Sequence, residues 1–207
     1  VSTRKEPLVV NFFAGPGAGK STMAAHVFAE LKWRGVLAEL VTEYAKDKVW
    51  DEHFQILENP YYVFGKQLQR QLRLRGKVDV IVTDSPLMIC TAYNEHIEGF
   101  SDVVYLEFRK FTNINYFVRR QKKYVEIGRM QTEEEAIAKD EALERILGSY
   151  SQSFVPVMGQ RHSVDEIVAD VLCELAGTPD LEIIDPRLQK PMGLPKPTVA
   201  QRTLFKS

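Results

Sequence analysis

The chain has 207 residues and a mass of 23.7 kDa, enough for one sizeable core and short for two. Its 44% hydrophobic and 27% charged residues are ordinary for a globular protein, and no apolar run approaches the ~20 residues of a membrane span. Two cysteines, Cys90 and Cys173, make neither a disulfide framework nor a metal site, a net charge of −1 argues against a general nucleic-acid coating protein, and the polar opening VSTRKEP lacks a signal peptide's apolar core.

A reduced, cytoplasmic protein is therefore expected. Residues 8–14, LVVNFFA, form an apolar run that breaks at a glycine turn, the pattern of a buried strand. From Lys20 to Trp33, the spacing of Ala24, Val27, Phe28 and Leu31 puts one apolar face on a helix, which Gly35 closes. A second strand is predicted over 36–42, a helix over 61–75 ended by Gly76, and a third strand over 78–84. DVVYLEF at 102–108 reads as a fourth strand, and Asn113 to about Tyr124 as a helix. Thr132 and Glu135 stand at capping-box spacing and open a helix to about Leu147. FVPVM at 154–158 reads as a fifth strand, confined by Pro156 to an edge or an end. Ser163 and Glu166 repeat the capping-box spacing before a last helix to about Leu175.

Strands alternating with helices predict an α/β fold with a mainly parallel sheet of about five strands. One domain is expected over 1–177, with a lid over about 109–131. Prolines 179, 186, 191, 195 and 197 punctuate a tail over 178–207, read either as an extended arm or as disordered chain.

AGPGAGKST at 14–22 fits the phosphate-loop pattern G-x-x-x-x-G-K-[ST], with Ala14 where the first glycine usually stands. A strand precedes it and a helix follows, which is the context that pattern requires. Gly15, Pro16, Gly17, Ala18, Gly19, Lys20, Ser21 and Thr22 are the candidate phosphate-binding residues. Backbone N–H groups and the helix N-terminus cradle the phosphates, Lys20 supplies a point charge, and Ser21 offers a hydroxyl to Mg²⁺. The expected architecture is thus a P-loop NTPase sandwich of three α/β/α layers with a helical lid. Asp84, at the end of the third predicted strand, suits the carboxylate that holds Mg²⁺ through water; a turn-capping carboxylate is the alternative. Glu43 follows the second predicted strand and suits a group that accepts or orients an acceptor's hydroxyl proton, or else a helix N-terminal acid. Trp50 is read as flanking an acceptor ring or as core.

Charge is segregated along the chain. KQLQRQLRLRGK at 66–77 carries five basic residues and no acid, and 109–129 carries seven against Glu126. Solvated helix faces explain either block, but two of them beside a phosphate loop favour anionic ligands. Among Arg119, Arg120, Lys122, Lys123 and Arg129, Arg120 and Arg129 are the candidates for neutralising a transferring phosphoryl group, as lid arginines do. GQRH at 159–162 is placed beside an adenine. His26, His53, His96 and His162 show no metal-ligand spacing, and Ser85 does not lie in a G-x-S-x-G elbow.

FFAGPGAGKST, ELVTEYAKDKVW, GKQLQRQLRLRGKVDVIVTDSPL and GRMQTEEEA together resemble phage-type, AAA-like P-loop kinases over residues 8 to about 147. TEYAKD is also similar to the segment after the second strand of ribosylnicotinamide kinases. Deoxynucleoside kinases place a catalytic glutamate similarly, and this resemblance lends that role to Glu43. Phage members of the group include DNA kinases that phosphorylate the hydroxymethyl of 5-hydroxymethyluracil in DNA, a step towards thymidine hypermodification. The resemblance implies an ATP- and Mg²⁺-dependent kinase working in the host cytoplasm if phage-encoded. Its catalytic residues are Lys20, Glu43, Asp84, Arg120 and Arg129, and Ser21 and Asp84 hold the metal. The favoured acceptor is 5-hydroxymethyluracil in DNA, because two basic blocks suit a polyanion; a DNA base would have to be flipped out to react. A free nucleoside or mononucleotide is the close alternative. From another class, an NTPase switch or motor subunit with a protein partner remains the rival.

Overall fold

The computed structural model describes residues 6–121 and 132–176. Five strands, β1 (Leu8–Phe13), β2 (Ala38–Val41), β3 (Val80–Thr83), β4 (Thr112–Arg119) and β5 (Val155–Met158), form one sheet in the order β2-β3-β1-β4-β5. Every neighbouring pair is parallel, with Leu8 in register with both Val80 and Thr112. Around it lie α1 (Lys20–Trp33), α2 (Tyr44–Trp50), α3 (Pro60–Leu72), α4 (Ile89–Ala92), α5 (Phe100–Phe108), α6 (Glu133–Ser149) and α7 (His162–Ala176).

All six residues of β1 are buried, which is why the strand reads as a continuous apolar run instead of an alternating one. Successive side chains still point to opposite faces. On one face Phe12 stacks on Tyr116 with ring centroids 5.8 Å apart, and the Tyr116 hydroxyl donates to Asp170 of α7 at 3.3 Å, while α1 packs against α7. On the other, Phe13 meets Phe108 of α5 edge-on at 6.5 Å, and Phe64 of α3 meets Phe100 of α5 at 6.0 Å. Helices on both faces make the three-layer α/β/α arrangement expected of the sequence. Each fully buried phenylalanine contributes ~1.5–3 kcal/mol, so this aromatic centre is a principal source of the core's stability.

Two elements differ from the sequence reading. Residues 102–108 are helix, not strand. Phe100, Val104 and Phe108 are buried at a four-residue repeat while Val103 and Leu106 are about half exposed, so the short apolar run carries helical periodicity. Gly99, at φ +73°, turns the chain into this helix. The fourth strand is instead β4, where a helix was expected from Asn113 onwards. It lies between β1 and β5, and its middle, Asn115–Val118, is continuously buried, so no alternation reveals it. Its asparagines resemble a polar helix face but are consumed inside the sheet: Asn11 Nδ2 donates to Asn113 and Asn115 at 2.9 and 3.1 Å. The expected lid therefore cannot begin at residue 109, because 112–119 are a central strand. Residues 122–131 of that expected lid lie outside the described residues, as does the tail over 178–207.

The remaining boundaries agree closely. The Thr132–Glu135 capping box forms in both directions and opens α6. Among the described residues β5 pairs only with β4, so Pro156 occupies an edge strand that needs no second ladder. α7 begins one residue before Ser163, which is buried within its first turn.

Candidate active site

Parallel strands bring their carboxyl ends to one edge of the sheet, and three of these ends converge here. After β1 the chain turns through Ala14–Gly19 into α1, whose N-terminal residue is Lys20. Gly17 and Gly19 adopt φ of +82° and +103°, which residues with a Cβ rarely tolerate. Gly15 is needed for another reason: a Cβ there would lie 2.3 Å from the Ala136 carbonyl oxygen of α6. Lys20 Nζ donates to the Gly15 carbonyl at 2.9 Å, curling over the loop. Ser21 and Thr22 stand exposed in the first turn of α1.

Glu43 caps the step from β2 to α2, and Asp84 follows β3 directly. Burial pushes the Glu43 carboxyl above its usual value; Asp84 and Asp47 push it further, against Lys20 and Lys46. Burial pushes the Lys20 ammonium below its usual value, against the opposing pull of Glu43, Asp84 and Asp140. The three groups lie within reach of one another's charge, with Asp84 buried and Lys20 and Glu43 half-buried. Cys90 borders them, its thiol pushed up to about 12 by burial and by Glu43.

Asp84 is 4% exposed, and its Oδ1 has no hydrogen-bond partner among the described residues. An orphaned, buried carboxylate oxygen is costly unless a cation or water serves it. Asp84, with the Ser21 hydroxyl across the loop, fits the oxygen donors that Mg²⁺ prefers. No cluster of three or more His, Cys, Asp or Glu residues suited to a metal occurs among the described residues.

Arg120 lies just past β4 with its donors engaged. Nε donates to Asp140 at 2.6 Å, one terminal nitrogen to the Pro16 carbonyl at 2.6 Å and the other to Ala136 at 2.9 Å. Asp140 in turn accepts from the Gly15 N–H at 2.5 Å. The pair clamps the phosphate loop to α6. Arg119 pairs with Glu144 and stacks on Phe117. Arg129 lies outside the described residues, as do Lys122 and Lys123. The segment after β5 reaches the same loop: a Cβ on Gly159 would stand 3.3 Å from the Ala18 carbonyl.

A family model described as an AAA domain matches residues 9–166. The chain belongs to the AAA domain family. No curated protein sequence matches the chain. Among solved structures it is similar to the deoxyadenosine kinase of M. mycoides with bound dATP, at a TM-score of 0.51 and 16% identity. That likeness covers 80% of this chain and 99% of the kinase, and it is a likeness of fold. Among the described residues no helix of the AAA domain is long and apolar enough to cross a membrane.

Sequence reasoning did not find Asp140 or Gln67. Asp140 sits in an acidic run that reads as a solvated face, and its partner in the loop, Gly15, contributes only a backbone N–H. Gln67 left a faint trace: with Gln71 it interrupts, at four-residue spacing, the otherwise apolar inward face of α3 next to Phe64. Trp50 is 62% exposed, so it is not core.

Proposed function

We propose that this AAA domain protein is an ATP- and Mg²⁺-dependent kinase that phosphorylates a hydroxyl of a nucleoside-type acceptor. The observation that carries this reading is Glu43, a half-buried carboxylate at the carboxyl edge of the sheet, beside Lys20 and Asp84 and raised above its usual value chiefly by burial. Raised above its usual value, such a carboxylate is a better proton acceptor for an attacking hydroxyl than a solvated one. In this reading Gly15–Thr22 cradle the triphosphate, with Lys20 moving from the Gly15 carbonyl to the outer phosphates. Ser21 and Asp84 hold Mg²⁺, which offsets phosphate charge when bound. Glu43 takes the hydroxyl proton. Arg120 keeps the loop in shape through Asp140, and Arg129 neutralises the moving phosphoryl group.

Among acceptors, a free nucleoside or mononucleotide is favoured over 5-hydroxymethyluracil in DNA. Two basic blocks favour DNA only where their charges are unpaired. In the first block Arg70 pairs with Asp47 and Thr42, Arg75 pairs with Glu6 and stacks on Phe111, and Lys66 lies over the Tyr62 ring. In the second, Arg119 and Arg120 hold Glu144 and Asp140. Cations already paired release fewer counterions on meeting a polyanion. The fold of the deoxyadenosine kinase is compatible with the smaller acceptor.

The test is ATP labelled in its γ-phosphate, offered separately with deoxynucleosides, mononucleotides, ordinary duplex DNA and duplex DNA containing 5-hydroxymethyluracil. Label on a nucleoside or mononucleotide is expected. Label on modified DNA alone restores the polyanion, and label only in inorganic phosphate points to an NTPase switch.

A further inference from the structure

Gln67 is 2% exposed on α3 and makes three hydrogen bonds that leave its own helix. Its Oε1 accepts from the Tyr44 N–H at 2.9 Å; its Nε2 donates to the Thr42 carbonyl at 3.3 Å and to the Ser85 carbonyl at 3.2 Å. Thr42 and Tyr44 are the residues on either side of Glu43, and Ser85 follows Asp84. One amide therefore bridges the chain around both carboxylates of the site. We infer that Gln67 is a positioning residue that fixes the spacing of Glu43 and Asp84 at the adjacent ends of β2 and β3.

Three properties favour this over simple packing. A buried primary amide in an apolar helix face is costly unless its bonds are made, and here acceptor and donor are both used on backbone atoms. Those atoms belong to two different strand ends, which have no covalent tie close by. The neighbouring Gln71, one turn further on and equally buried, leaves its Nε2 without a partner among the described residues, so burial on this face does not by itself supply such bonds. Only an amide supplies an acceptor and a two-proton donor at one side-chain end. Methionine at this position would keep the length and lose every bond, and glutamate would keep the acceptor while losing both donors.

The inference rests on the kinase reading for its catalytic readout, and the experiment separates the two. Gln67→Met and Gln67→Glu are compared with wild type for transfer, for ATP binding and for Glu43 titration followed by carboxyl carbon NMR. The groups that face Glu43 are Lys20 from α1, Asp84 after β3, Lys46 and Asp47 on α2, and the Cys90 thiol on α4. For Gln67→Met, kcat is expected to fall about ten- to hundredfold, the loss typical of a catalytic group displaced by ~1 Å, with ATP affinity kept within about twofold. Its Glu43 titration moves down towards the ordinary carboxyl value as the strand end loosens and solvent enters. In Gln67→Glu the added carboxylate moves that titration up, and with it the acid limb of the rate profile. An unchanged Glu43 titration in both variants overturns the inference. So does failure of both to fold, which makes Gln67 a folding residue. If wild type transfers no phosphate while the variants still shift Glu43 in opposite directions, the kinase reading falls and Gln67 keeps its role.

Discussion

Gly15→Ala is the substitution whose consequence can be worked out most fully. The phosphate-loop pattern leaves this position open to any residue, so the motif alone predicts tolerance. The structure predicts the opposite. The new Cβ would stand 2.3 Å from the Ala136 carbonyl oxygen, 2.9 Å from an Arg120 terminal nitrogen and 3.2 Å from Asp140 Oδ1. Arg120 can swing aside, but a helix carbonyl cannot; α6 or the loop must yield by roughly 0.7 Å to regain even a 3.0 Å contact. Overpacking of this kind costs ~1–3 kcal/mol, and weakening the Gly15 N–H bond to a carboxylate adds ~1.5 kcal/mol. About 3 kcal/mol in all lowers the Tm of a domain this size by roughly 6–12 °C. Thermal unfolding followed by circular dichroism reads this directly. Gly65→Ala is the comparator: it lies mid-helix in α3 with nothing within 4 Å of a new Cβ, and should gain ~0.5–1 kcal/mol. A Gly15→Ala protein that melts with wild type would refute the close approach of α6 to the loop.

Lys20→Ala removes the point charge over the loop and leaves Glu43 and Asp84 without their shared cation; ATP binding by calorimetry and transfer should both drop below detection, and measurable turnover would show that the loop does not hold the phosphates. The rate should follow a bell in pH. Its acid limb lies above the ordinary carboxyl value of 4.5 because burial raises Glu43, and its alkaline limb lies below 10.5 because burial lowers Lys20. Since folding raises the Glu43 value, ionised Glu43 is a cost to the fold once pH exceeds that value; Glu43→Gln should erase the acid limb and nearly all transfer, yet raise Tm at neutral pH. Arg120→Met and Asp140→Asn, combined in a double-mutant cycle by urea denaturation, should show a coupling of ~1–3 kcal/mol, because each side chain is under one-fifth exposed; additive losses would mean that the clamp is incidental.

Legibility followed the strength of the local signal. The phosphate loop announces itself through residues whose chemistry is local: glycines for positive φ, a lysine, a hydroxyl and a preceding strand. The placement of Glu43 and Asp84 at the sheet edge is legible because strand ends can be counted, and a parallel sheet gathers its carboxyl ends. The exchange of helix and strand between 102 and 124 shows where such reading fails. A strand whose middle, Asn115–Val118, is continuously buried loses its alternation there, and its asparagines accept from Asn11 across β1 and β4, where no local pattern records the bonds. Asp140 and Gln67 act through backbone atoms distant in sequence, Gly15, Thr42, Tyr44 and Ser85, so nothing in their own segments marks the bond. The basic blocks were visible as charge, but their internal partners were not.

In the proposed kinase the loop before α1 presents the outermost phosphate of a nucleotide to Glu43. A crystal structure with Mg²⁺ and a non-hydrolysable ATP analogue tests it most directly. Phosphates are expected against the Gly15–Thr22 amides, with Lys20 Nζ withdrawn from the Gly15 carbonyl, the metal on the Asp84 side, and the terminal phosphate open towards Glu43. A triphosphate bound elsewhere, or a terminal phosphate screened from Glu43 by protein, would contradict it.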